Sequence, residues 1–215
     1  MLYKNIEELP TTIPVFPLAG ALLLPEAELP LNIFEPRYLS MIGDTMTGGR
    51  VIGIVQPTDP YTDHQKPPVY QIGCAGRVSE FQEAKDGCIL ISLTGVCRFN
   101  IVHELPTDEP YRLAAVSYER FKDDLNIELD SSFNDPLFLP TLRAYFGAKD
   151  LSADWNALEK LPGNALLTSL AMLCPFAPNE KQALLEASSN NERGKIMTTL
   201  MEMAVRETKD GVLLQ

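Results

Sequence analysis

Residues 31–38 read Leu31-Asn32-Ile33-Phe34-Glu35-Pro36-Arg37-Tyr38. An apolar run of strand length ends at a proline. Pro is favoured in the first turn of a helix, where its missing N–H would have no partner anyway. The stretch therefore predicts a strand over Leu29–Phe34, then a helix from Pro36 to Met46 that Gly48-Gly49 stops. Glu35 stands just ahead of that helix. There a carboxylate can accept from the free backbone N–H groups and face the positive helix end. Arg37 and Tyr38 fall in the first turn, placed to anchor the helix to whatever lies beneath it. On this reading Glu35→Ala mainly lowers thermal stability.

Working outward, the sequence on both sides is β-like. Ile13-Pro14-Val15-Phe16-Pro17 is a short strand flanked by prolines, expected at a sheet edge or a strand end because proline cannot donate to a ladder. Val51–Gln56 is apolar and β-branched, which suits a buried strand. Tyr70–Ala84 is long and holds Gly73 and Gly76, the mark of a bulge or sharp bend. Asp86-Gly87 is a tight-turn signal. Cys88–Leu93 and Cys97–Glu104 follow as two strands separated by Gly95, and Tyr111–Tyr118 is the last. Six or seven short strands around one embedded helix predict a small closed or half-open barrel.

After residue 122 the pattern turns helical. Leu137, Leu139, Leu142 and Tyr145 share one face after Asp135-Pro136. Asp154–Leu158 is a short helix, Ala165–Leu173 an apolar one, and Pro178 opens another that runs over Asn179–Glu186. Ser189-Asn190-Asn191-Glu192 is a capping box. The helix behind it reaches about Val205, with Ile196, Leu200, Met203 and Ala204 at helical spacing. The expected class is α+β: a β-rich lobe over 1–122, an acidic connector over 123–135 and a helical lobe over 136–215.

The formal net charge is -11 over 215 residues. A surface this acidic disfavours the phosphate backbone of nucleic acid. The 13-residue connector carries five of those charges and no base, and reads as a solvated linker or strand edge. The helical lobe is nearly neutral, which leaves it free for protein contact. No apolar run approaches membrane-helix length, and the first residues lack the secretory pattern, so a cytoplasmic protein is expected.

The motifs for chemistry are sparse. No Walker, GxGxxG, HExxH or GxSxG pattern occurs. Cys74, Cys88, Cys97 and Cys174 form no CxxC pair, lie off zinc-ligand spacing from His64 and His103, and read as free thiols in or near the core. No catalytic residue, cofactor or metal ligand is assigned. His64 sits in the polar loop Pro57–Pro68, which is either a mobile surface loop or the tip of a binding loop.

One combination is distinctive. Ile13-Pro14-Val15-Phe16-Pro17-Leu18, then Leu22-Leu23-Leu24-Pro25, then the stretch through Tyr38 resemble the N-terminal, substrate-binding domain of Lon proteases. Gly73–Val78, Leu93–Phe99 and Lys181–Glu186 are similar to later parts of that family. The resemblance implies a PUA-like pseudo-barrel followed by a helical bundle, and a part in capturing substrate polypeptides. The chain carries no ATPase module and no Ser-Lys protease domain, so it looks like a free-standing bacterial form that is not an enzyme.

The expected function is recognition of a polypeptide partner, as an adaptor in protein quality control. Pro17, Phe34, Glu35, Pro36, Arg37 and Tyr38 would then be mainly structural. Phe16, Arg37, Tyr38, Tyr61 and His64 are the candidate contacts. The barrel edge near Pro14–Pro17, the Pro57–Pro68 loop and the cleft between lobes are the candidate surfaces. Two other readings stay open: a small-molecule or enzymatic role in the interlobe cleft, and RNA binding by analogy with PUA domains.

Overall fold

β-Branched and aromatic residues dominate the first half of the chain, and the computed structural model shows what they build. It describes residues 3–61, 66–85, 87–126, 133 and 135–213, with side chains as far as Thr208. Among these, six strands form one sheet: β1 (Thr12–Pro17), β2 (Glu28–Ile33), β3 (Val51–Val55), β4 (Ile72–Glu83), β5 (Ile89–Leu105) and β6 (Arg112–Ser117). The embedded helix α1 spans Pro36–Thr47.

The sheet order is β2-β5-β4-β3-β1-β6, and β6 also pairs with β5. That second pairing closes a five-stranded barrel and leaves β2 outside it. One side of β5 makes this possible by serving two strands in turn. Its first part pairs with β2 through Ile89–Thr94, its last part with β6 through Asn100–Leu105.

β5 corrects the expectation of two strands broken at Gly95: the chain runs unbroken from Ile89 to Leu105. The glycine marks a bulge instead. The β4–β5 register passes from Ala75↔Cys97 to Gly76↔Gly95, so Val96 has no opposite residue. A Cβ on Gly95 would lie 2.0 Å from the Leu24 carbonyl oxygen, because the Leu24–Ala27 turn presses onto the strand here. Three bonds hold that contact. Gly95 N–H donates to Ala27 O at 2.8 Å, Glu26 N–H to Gly95 O at 2.9 Å, and Ala27 N–H to Leu24 O at 3.1 Å.

β1 is not an edge strand either. It runs parallel to β3 through Val15–Pro17 and antiparallel to β6 through Thr12–Val15. The two pairings are staggered, so Pro14 and Pro17 each have one side without a registered neighbour. A proline can sit there without costing a ladder bond.

The helical half comprises α2 (Phe138–Ala148), α3 (Trp155–Leu158), α4 (Gly163–Leu173), α5 (Pro178–Glu186) and α6 (Asn190–Leu213). Asp154, expected inside this short helix, stands just ahead of α3 and caps it, accepting from Ala157 N–H at 3.1 Å. The box ahead of α6 is displaced by one residue. Ser189 Oγ accepts from Glu192 N–H at 3.1 Å, but the Glu192 carboxylate accepts from Ser188 N–H.

Helix faces also differ from the expected ones. On α2 the buried residues are Phe138, Leu142, Tyr145 and Phe146, while Leu137 lies outside the helix and exposed. On α6 Met197 and Met201 are fully buried, Ile196, Leu200 and Ala204 flank them half-buried, and Met203 faces solvent. On α2 the aromatic packing accounts for the buried face. Phe146 meets Trp155 edge-on at 5.4 Å, and Tyr145 stacks on Phe176 at 5.7 Å. The apolar cores of the two halves form one continuous cluster.

Candidate functional site

The motif residues form a corner on the barrel. Tyr38 is buried, and its ring lies 4.1 Å from that of Phe16, also buried. Both are core residues and present no surface to a partner. Burial raises the Tyr38 phenol above its usual range, partly offset by Arg37. The Arg37 guanidinium covers the Tyr38 ring at 4.5 Å.

Glu35 departs from its expected role. It occupies the N-cap position, yet its carboxylate caps nothing. It accepts from Arg37 Nε at 2.9 Å instead, so the pair closes over the tyrosine ring. Pro36 opens α1 as expected and Pro17 is half-buried, but Phe34 is 65% exposed, out of the core. Tyr61 is 90% exposed in the Pro57–Pro68 loop, and His64 lies outside the described residues.

Among the described residues, none of these side chains borders a wide cleft. That cleft, about 840 Å³, lies between the two halves. Its barrel wall is the Leu24–Glu28 segment together with the 3-10 helix Glu119–Leu125. Its helical wall is the inner face of α4, with Thr168, Met172 and Leu173, and the start of α6. Leu173 is 81% exposed although it is apolar and at the end of a helix.

The cleft has a hydrogen-bonded floor. Arg98 and Asp124 pair at 2.7 Å with side chains only 6% and 9% exposed. Asp124 also accepts from the Arg98 backbone N–H and Nε, each at 2.9 Å. The same guanidinium donates across to Leu185 O at 2.9 Å and to Ala187 O. Burial works against the charge on Arg98, but the bond and field of Asp124 outweigh it and leave its pKa raised. Asp124 is therefore not the solvated linker charge its acidic neighbourhood suggests. It is one half of a clamp between barrel and helices.

Further bonds repeat the pattern. Gln56 donates to Pro178 O at 2.8 Å, and Lys181 Nζ to Gly20 O at 2.9 Å and to Met172 O at 3.1 Å. Gln182 donates to Ile72 O at 3.1 Å. Sequence reading did not single out any of these three as interface groups, nor Arg98. One signal was available: Arg98 is the sole charged residue in the run from Ile89 to Val102. Cys97 and Phe99 point into the barrel, so strand alternation aims Arg98 out of it.

Other chemistries find little to use. Burial raises the thiols of Cys74, Cys97 and Cys174, and a protonated thiol is a poor nucleophile. Strand addition is hindered as well. Among the described residues β2 pairs only with β5, and Gly95 N–H reaches Ala27 O, so alternation turns the backbone groups of Glu28, Pro30 and Asn32 to the open side. Pro30 has no N–H to offer an incoming strand, a common way of blunting an edge.

The family model for the ATP-dependent protease La (LON) substrate-binding domain matches residues 12–203. The chain is 31% identical over 130 residues to a Lon protease of Flavobacterium johnsoniae, covering 60% of this chain and 16% of that protein. It is 25% identical over 194 residues to the Lon protease of Dictyoglomus thermophilum, covering 88% and 24%. Against the human peroxisomal Lon protease homolog 2 it is 26% identical over 227 aligned positions, covering 97% and 26%. The chain thus spans about a quarter or less of the length of these relatives.

Two solved structures share the fold. One is a Lon N-terminal domain protein from Xanthomonas campestris, with TM-score 0.61 and 22% identity over 88% of this chain and 98% of that one. The other is the N-terminal domain of the Mycobacterium avium complex Lon protease, with TM-score 0.59 and 13% identity over 89% and 98%. With a family match that runs from β1 into α6, the chain belongs to the family of LON substrate-binding domains.

Proposed function

We propose that the chain is a non-enzymatic module that holds a segment of another polypeptide in the cleft between barrel and helices, as an adaptor in protein quality control. The family supports a substrate-recognition role, and one observation carries its placement. The cleft has a hydrogen-bonded floor at Arg98–Asp124 and an apolar side chain, Leu173, left uncovered on its wall. Leu173 and the half-buried Met172 beside it give a concave site an apolar wall next to fixed polar groups, the composition of a binding cleft. Groove burial is favoured over strand addition because the barrel is closed and Pro30 blunts β2.

The test is fluorescence anisotropy with a labelled, permanently unfolded protein. Leu173→Asp weakens binding while the melting temperature stays within a few degrees, since the side chain is exposed. Binding that is absent in the parent, or untouched in this variant, overturns the placement. The corner with Phe34 and Arg37 and the loop tip with Tyr61 are the competing surfaces, and Phe34→Ser and Tyr61→Ser are the variants that report on them.

A further inference from the structure

The two walls of the cleft differ in chemistry, and the difference specifies an occupant. The helical wall offers Met172 and Leu173 with the small polar Thr168 and Ser169 beside them, and no charge along that face of α4. The barrel rim offers Glu26, Glu28 and Asp123, all exposed. Cationic groups line the cleft too, but only one is exposed. Arg98 is neutralised by Asp124, Arg193 is buried and donates to Leu184 O at 3.0 Å, and the exposed Arg120, over the Phe121 ring at 5.0 Å, sets one positive charge against the three rim carboxylates. A segment lying in this cleft meets apolar surface on one side and carboxylates on the other.

From this complementarity we infer that the cleft selects extended segments in which apolar residues alternate with lysine or arginine. Alternation puts successive side chains on opposite sides of an extended chain, so the apolar set faces α4 while the basic set faces the rim. Opposite charge at a rim acts chiefly on selectivity and association rate, and is screened by salt. The inference rests on the polypeptide-binding reading and adds the class of segment to it.

Three labelled peptides of about ten residues, enough to cross such a cleft at strand rise, separate the possibilities. They alternate valine with lysine, with serine or with glutamate. In anisotropy titrations at low salt the lysine peptide binds roughly tenfold tighter than the glutamate peptide, the sum expected of a few exposed charge pairs. The triple variant E26Q/E28Q/D123N removes most of that preference. A control, E7Q/E80Q/E83Q, has the same net charge but alters acids away from the cleft, and keeps it.

Loss of the preference in the control traces it to net charge and overturns the inference, as does its survival in the triple variant. Equal binding of all three peptides, weakened by Leu173→Asp, overturns the charge selection but leaves the polypeptide-binding reading standing. Failure of every peptide to bind overturns both.

Discussion

At the scale of single residues, Arg98 ties the two halves of the structure together. It is buried, charged and shared between Asp124 and two carbonyls of the helical half. Removing one member of such a pair leaves an uncompensated buried charge. Arg98→Ala should therefore cost about 3–5 kcal/mol in urea unfolding. Exchanging Arg98 and Asp124 together for apolar residues of similar size should cost less, because no charge is then stranded. Glu35 contrasts with it. Since its carboxylate is partly exposed and bonded to Arg37 rather than to the helix end, Glu35→Ala should cost under about 1 kcal/mol. Tyr38→Ala removes a buried ring from against Phe16 and should cost about 3–5 kcal/mol. The motif is thus structural through Tyr38 more than through Glu35. A sequence shows that a carboxylate stands before a helix. It does not show which donor reaches it first, and here the arginine two positions on is nearer than the backbone.

At the scale of elements, periodicity revealed which segments are strands and helices, and missed what happens where elements cross. Gly95 resembles a strand break in sequence, because glycine has no side chain to pack. Its actual role depends on Leu24, 71 positions away, pressing on the strand from outside. The buried face of α6 was misjudged by one position for a similar reason. Methionine and isoleucine are equally apolar, and only the partner surface chooses between them. The cleft rim illustrates the same dependence. Glu26 has φ of 64°, at a position behind Pro25 where glycine would be relaxed. Glu26→Gly should therefore raise stability by up to about 1 kcal/mol, read as a later urea midpoint with unchanged slope. An earlier midpoint would mean that the carboxylate contributes more to the turn than its backbone strain costs.

For the whole molecule, the fold class was legible in the sequence, and the cleft was not, because its floor is made by side chains from distant segments. The burial that makes this floor also sets the response to pH. Burial pushes the Cys174 thiol up to about 11 from 9.0 and the Tyr145 phenol up to about 12 from 10.0, and raises Cys74, Cys97 and Tyr118 too. Groups raised by folding contribute stability that is complete below their unfolded values and is lost as pH climbs towards the folded ones. Stability should fall progressively above about pH 9, where thiols of the unfolded chain begin to ionise. Lys181 acts in the opposite sense, since burial lowers its pKa and alkali relieves its charge, but it is one group against several. Urea midpoints at pH 8 and 10 check the sign. The seam between the halves has one further property. Gln56, Arg98, Lys181 and Gln182 all donate to main-chain oxygens across it, those of Pro178, Leu185, Ala187, Gly20 and Ile72. Every residue type carries a carbonyl, so the accepting positions can change identity without withdrawing an acceptor. Sequence drift is therefore tolerated on the receiving side of these bonds and restricted at their four donors.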